Sequence, residues 1–116
     1  MSTAAETLLV ITNLPDAEAA RLLAGALVEQ RLAACVNILA PCTSVYRWQG
    51  AIETATEVPL LIKTTTARYD ALEAVIRARH PYELPEILAV PVASGLPAYL
   101  GWVAEETTPN DNTTPC

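Results

Sequence analysis

Residues 33–65 read AACVNILAPCTSVYRWQGAIETATEVPLLIKTT, and this stretch decides the fold. It holds two extended runs, Ala33 to Tyr46 and Ala51 to Thr65, joined at Arg47-Trp48-Gln49-Gly50, which reads as a turn. Pro41 and Pro59 interrupt the runs, and a proline inside a strand marks an edge or a bulge. Leu60-Leu61-Ile62 is the buried part of the second run. Each run has about 14 residues, or roughly 45 Å at the usual strand rise.

Upstream, Thr7-Leu8-Leu9-Val10-Ile11-Thr12 is a short β-branched apolar run and predicts a buried strand of about half that length. Asn13-Leu14-Pro15 breaks it. Asp16 can cap a helix running to about Arg31, with Ala20, Leu23, Ala24, Leu27 and Val28 on its buried face. Downstream, Thr66 can cap a second helix whose stripe is Tyr69, Leu72, Val75 and Ile76, ended by Pro81. Glu86 to Val92 predicts a fourth strand. Pro97 opens a last helix carrying Tyr99, Leu100, Trp102 and Val103. The domain spans residues 7–106, and residues 107–116 read as a flexible polar tail.

The order β-α-β-β-α-β plus a helix predicts the α+β, ferredoxin-like sandwich. Both internal helices then cover one face of a four-stranded antiparallel sheet. A central hairpin twice the length of the outer strands must overhang that sheet, and free strand edges invite another chain. An oligomer built by hairpin exchange is therefore expected.

Composition narrows the function classes. Asp+Glu is 13 against Lys+Arg 7, a net charge of -6, which disfavours phosphate-led binding of nucleic acid and docking on anionic lipid. No run reaches the roughly 20 apolar residues of a membrane span, and no basic region precedes an apolar one at the start. Cytoplasmic placement follows as an expectation, with Cys35, Cys42 and Cys116 as free thiols. Chemistry that this sandwich hosts elsewhere lacks its residues here. No C-x-x-C follows the first strand, no glycine cradles a phosphate at residues 13–16, and no nucleophile elbow surrounds Cys35 or Ser44.

Several motifs remain: Ala33-Ala34-Cys35-Val36-Asn37, Ser44-Val45-Tyr46-Arg47-Trp48-Gln49-Gly50, Glu57, Lys63-Thr64, His80-Pro81-Tyr82-Glu83-Leu84-Pro85-Glu86-Ile87, Tyr99-Leu100 and Trp102. In this order and spacing the chain resembles the CutA family of divalent-cation tolerance proteins over roughly residues 7 to 105. The resemblance implies a PII-like homotrimer bound through the long hairpin, a non-enzymatic role in tolerance of copper and other divalent ions, and copper or another divalent cation as ligand. In copper-binding members the proposed ligands are a Cys near the end of the first strand and two successive His before Pro-Tyr. Here those positions hold Thr12 and Arg79-His80, so His80 alone is left as a metal candidate. A single His binds Cu(II) weakly, and Arg79 adds a positive charge.

Individual residues carry two readings each. His80 is a metal or acid–base group, or it donates to the last carbonyls of its helix. Cys35 is a small hydrophobe, or it has a soft-metal or redox role. It lies an odd seven residues from Cys42, which in a regular strand puts the two thiols on opposite faces unless Pro41 marks a bulge. Lys63, the only lysine, shares a face with Glu53 and Glu57. It either pairs with them in the interior or binds an anion in a cleft between subunits. Tyr82, Glu83 and Glu86 flank Pro85 and either present carboxylates at a subunit boundary or serve packing. Together Cys35, Glu57, Lys63, Tyr82, Glu83 and Glu86 form the expected intersubunit site. Tyr46 and Trp48 are the expected trimer contacts. Tyr99 and Trp102 are expected to pack the last helix. The competing function is a PII-like signalling module that takes a small anionic ligand in that cleft and acts on a protein partner.

Overall fold

The computed structural model describes residues 6–109. Its elements are β1 (Thr7–Leu14), α1 (Ala17–Glu29), β2 (Cys35–Ile38), β3 (Cys42–Trp48), β4 (Ala51–Thr65), α2 (Thr66–Arg79), β5 (Leu88–Pro91) and α3 (Pro97–Glu106). β4 is the spine. Its inner half pairs with β1 from Leu14↔Val58 to Thr7↔Thr65 and, on the other side, with β2 from Ile38↔Leu60 to Cys35↔Lys63. β5 adds to the far edge of β1, giving the antiparallel order β2-β4-β1-β5. The outer half, Ala51 to Glu57, pairs with β3 alone. The hairpin thus leaves the sheet by seven ladder positions, roughly 23 Å at the strand rise, and the molecule is 54 Å along its longest axis.

The run Ala33 to Tyr46 is two strands, not one. It breaks between Ile38 and Cys42, where Pro41 has no N–H to donate. Leu39 still bonds across to the Pro59 carbonyl at 3.0 Å, so the break is local. Arg47 and Trp48 belong to β3 rather than to the turn. The turn is Gln49-Gly50, with φ of 51° and 86°. Two positive φ values in a two-residue turn match the right-handed twist of the flanking strands.

Alternation along the strands separates two faces. Val10, Leu14, Val58, Leu60 and Ile62 point to one side and pack on Leu23 and Leu27 of α1 and Leu72 and Ile76 of α2. Both helices therefore cover that face, as the ferredoxin-like order requires. Asp16 caps α1, its Oδ1 accepting from the Ala19 N–H at 2.8 Å. Two local expectations are corrected. Val28 is 44% exposed, off the buried face of α1. Thr66 is the first residue of α2, and the cap position falls to Thr65, whose hydroxyl makes no capping bond.

α3 lies on the opposite face, where Tyr99 reaches Cys35. Its end is clamped by Arg31. That guanidinium donates from Nε to the Thr108 carbonyl at 2.7 Å and from Nη2 to the Glu105 carbonyl at 2.9 Å. Arg31 itself sits at φ 58°, the left-handed residue that ends the turn after α1. Thr107 is buried and bonds the Val103 carbonyl at 2.8 Å, so the polar tail does not begin there. Cys116 and the rest of that tail from residue 110 lie outside the described residues.

Candidate functional site

The face away from α1 and α2 carries two polar clusters. The first lies where the base of the β3–β4 hairpin meets the loop after α2. Pro81 and Pro85 stiffen that loop, and His80 ties it to β1. The His80 ring is buried, with Nε2 2.6 Å from the Asn13 carbonyl and Nδ1 accepting the Tyr82 N–H at 3.2 Å. One neutral tautomer satisfies both bonds: Nε2–H donates and the Nδ1 lone pair accepts. His80 thus bonds β1 and its own loop rather than the last carbonyls of α2. Both ring nitrogens are used, so a metal at His80 would have to displace one of these partners.

The Tyr82 ring packs against His80 in a tilted arrangement, with ring centroids 4.7 Å apart and planes at 53°. Burial, then the hydrogen bond to the Glu57 carboxylate, pushes its hydroxyl pKa up to about 12. Glu86 accepts from the Asn13 side-chain amide at 2.9 Å. Between these groups and the rings of Tyr46 and Trp48 lies an open cavity of about 780 Å³. Its lining holds Glu57, Glu83 and Glu86 and no basic side chain. The three carboxylates make this chain's share of the cavity unfavourable for an anion.

The second cluster lies under α3. Cys35 and Lys63 face each other across the β2–β4 ladder. The Lys63 ammonium donates to the Asn37 side-chain oxygen and approaches the Cys35 sulfur at 3.9 Å. Burial, then the Cys35 thiol, raises the Tyr99 hydroxyl. Tyr99 and Trp102 touch, with ring centroids 5.5 Å apart, yet each stays about 40% exposed, so they pack α3 only in part.

One chain therefore splits the expected site. Tyr46, Trp48, Glu57, Tyr82, Glu83 and Glu86 converge on the cavity, and Cys35 and Lys63 lie elsewhere. The pairing of Lys63 with Glu53 and Glu57 is corrected. They share a face, but Lys63 is six residues from Glu57, roughly 20 Å along the strand. Asn37 takes the ammonium instead. For the thiols, the exception at Pro41 holds rather than the opposite-face rule of a regular strand. Cys35 lies opposite Lys63 and Cys42 opposite Glu57, so the break at Pro41 returns both to one face, far apart.

Thr12 takes the buried face, and its hydroxyl has no hydrogen-bond partner among the described residues. Among the described residues no three His, Cys, Asp or Glu side chains converge as a metal group. Asn13 and Asn37 also hold the site, beyond the residues expected from the sequence. Asn37 was within reach, two residues from Cys35 on the same strand face. Asn13 looked like a strand breaker, and nothing local predicted its bonds to the distant His80 and Glu86.

The family model of the CutA1 divalent ion tolerance protein matches residues 8–106. The divalent-cation tolerance protein CutA of Thermus thermophilus is 50% identical over 98 residues, 84% of this chain and 95% of that protein. Protein CutA of Mus musculus is 46% identical over 80% of this chain, which spans only 52% of that relative's length. The crystal structure of CutA1 from Oryza sativa superposes with a TM-score of 0.88 at 39% identity, covering 92% of this chain and 98% of that one. On these matches, the chain belongs to the CutA1 divalent ion tolerance family.

Proposed function

We propose that the chain works as a cytoplasmic homotrimer in tolerance of divalent metal ions, copper among them, without catalysing a reaction. The observation that carries this reading is the hairpin. Its outer half has no sheet of its own to lie on, and it exposes Val45 at 66% and Ile52 at 70%. Leu88 and Val90 on the sheet face away from α1 and α2 are 54% and 46% exposed. Covering such side chains contributes about 1.5–3 kcal/mol each when complete. Two further copies of the same chain supply both the edges and the apolar cover, with Tyr46 and Trp48 at the contacts. Free Cys35 and Cys42 suit a reducing compartment.

The metal role in this reading is weak and indirect. His80 offers copper a ring nitrogen only by giving up the Asn13 or Tyr82 bond, and Thr12 brings no thiol. Native mass spectrometry of the tag-free, reduced chain tests this, with and without one equivalent of Cu(II), alongside His80→Ala. A trimer whose slight copper uptake falls further in His80→Ala supports the reading. A monomer, or one tightly held copper per chain that survives His80→Ala, overturns it.

A further inference from the structure

Lys63 and Cys35 are left over by the cavity, and their placement is chemically specific. The β2–β4 register sets them directly opposite each other. The ammonium stands 3.9 Å from the sulfur and is steered there by Asn37. Both residues are half-buried rather than sealed, so a small oxidant reaches them. The lysine stem is flexible enough to close the remaining gap.

We propose that Cys35 and Lys63 form a reversible, oxidant-dependent sulfur–nitrogen cross-link, with a hydroperoxide as the oxidant. The Cys35 thiolate attacks one peroxide oxygen, the O–O bond breaks, and Cys35 becomes a sulfenic acid while hydroxide leaves. The Lys63 ammonium gives that hydroxide a proton, forming water and a free amine. The amine attacks the sulfenic sulfur, the S–N bond forms, and the S–O bond breaks as a second water departs. With hydrogen peroxide, thiolate, ammonium and peroxide become the S–N link and two waters. Sulfur loses two electrons and the two peroxide oxygens gain them. Sulfenic acids condense with nitrogen in this way when one is held close. The Lys63 ammonium beside the sulfur supplies the proton the leaving hydroxide needs, so no further acid is required. The link would staple β2 to β4 under α3 and take the thiol away from Tyr99.

The sequence offers a direct test, because Lys63 is the only lysine in the chain. A lysine-specific protease cuts the unfolded chain once, and it cannot cut where the amine is bonded to sulfur. The full chain carrying Cys42→Ser and Cys116→Ser, with Cys35 its only thiol, is treated with hydrogen peroxide, unfolded without reductant and digested. The expected result is loss of the cut, an intact mass lower by two hydrogens, and return of both on adding dithiothreitol. Adding Cys35→Ser should leave the cut untouched by peroxide. Adding Lys63→Arg should abolish the loss of two hydrogens. Complete cutting after peroxide overturns the proposal, whether the sulfur then carries oxygen or has joined a second chain. A link that retains an oxygen overturns the step as written.

Discussion

From Val58 to Thr65, β4 lies between β1 and β2, with two helices over one face. From Ala51 to Glu57 it has β3 alone. The inner half alternates between buried and half-buried residues, ending on two buried threonines, and Leu60 and Ile62 are fully sealed. The outer half is exposed at five of its seven positions and buried at none. One continuous strand thus serves two purposes. The inner half is stabilised by its own chain, through ordinary core burial. The outer half keeps its extended form through the β3 ladder and a tight Gln49-Gly50 turn, and it lacks apolar cover. An isolated two-stranded hairpin is marginal in water. The contrast therefore points to cover from other chains.

Substitutions in the two halves should fail differently. Leu60→Ala opens a cavity in the sealed core and should lower stability by about 2–5 kcal/mol in chemical denaturation. Ile52→Glu places a charge on the outer half. It should leave the far-ultraviolet dichroism of the chain intact while moving trimer dissociation, followed by size exclusion, to much higher protein concentration. Equal loss of structure in both variants would erase the distinction between the halves.

The covered end of the face away from the main helices can be opened separately. Arg31→Ala removes two charge-assisted bonds to the end of α3 and should cost about 1–3 kcal/mol. Amide exchange should quicken in α3 and leave the inner half of β4 unchanged. The smallest effect concerns the rim where the two halves meet. The Tyr82 pKa is raised in the fold from its ordinary 10.0 to about 12. A raised pKa means the protonated hydroxyl stabilises the fold, fully below pH 10 and progressively less as pH climbs through about 12. The stability difference between the native chain and Tyr82→Phe should therefore shrink across that window and stay flat below it.

Much of this was legible beforehand because it is local. The Asp16 cap, the α2 residues Leu72 and Ile76, and the excess length of the hairpin all follow from spacing and side-chain type. What escaped depends on register or on distant partners. Strand alternation correctly put Glu57 and Lys63 on one face but carries no information about how far along that face they lie. Pro41 announced a break that could shift the alternation, but not whether it would; the register shows that it does and turns Cys42 to the same side as Cys35. His80 looked like a helix-end donor because its helix was the only structure in view. Its partner, Asn13, comes from a strand 67 residues away. Arg31 gave no signal either, since its clamp on α3 needs the fold to bring residue 108 beside residue 31.

If other copies of the chain complete the outer half of β4, the protein assembles as a trimer in solution. Sedimentation equilibrium of the tag-free, reduced protein, carried to low micromolar concentration, tests it most directly. The expected result is the mass of three chains throughout that range. The mass of a single folded chain would contradict it.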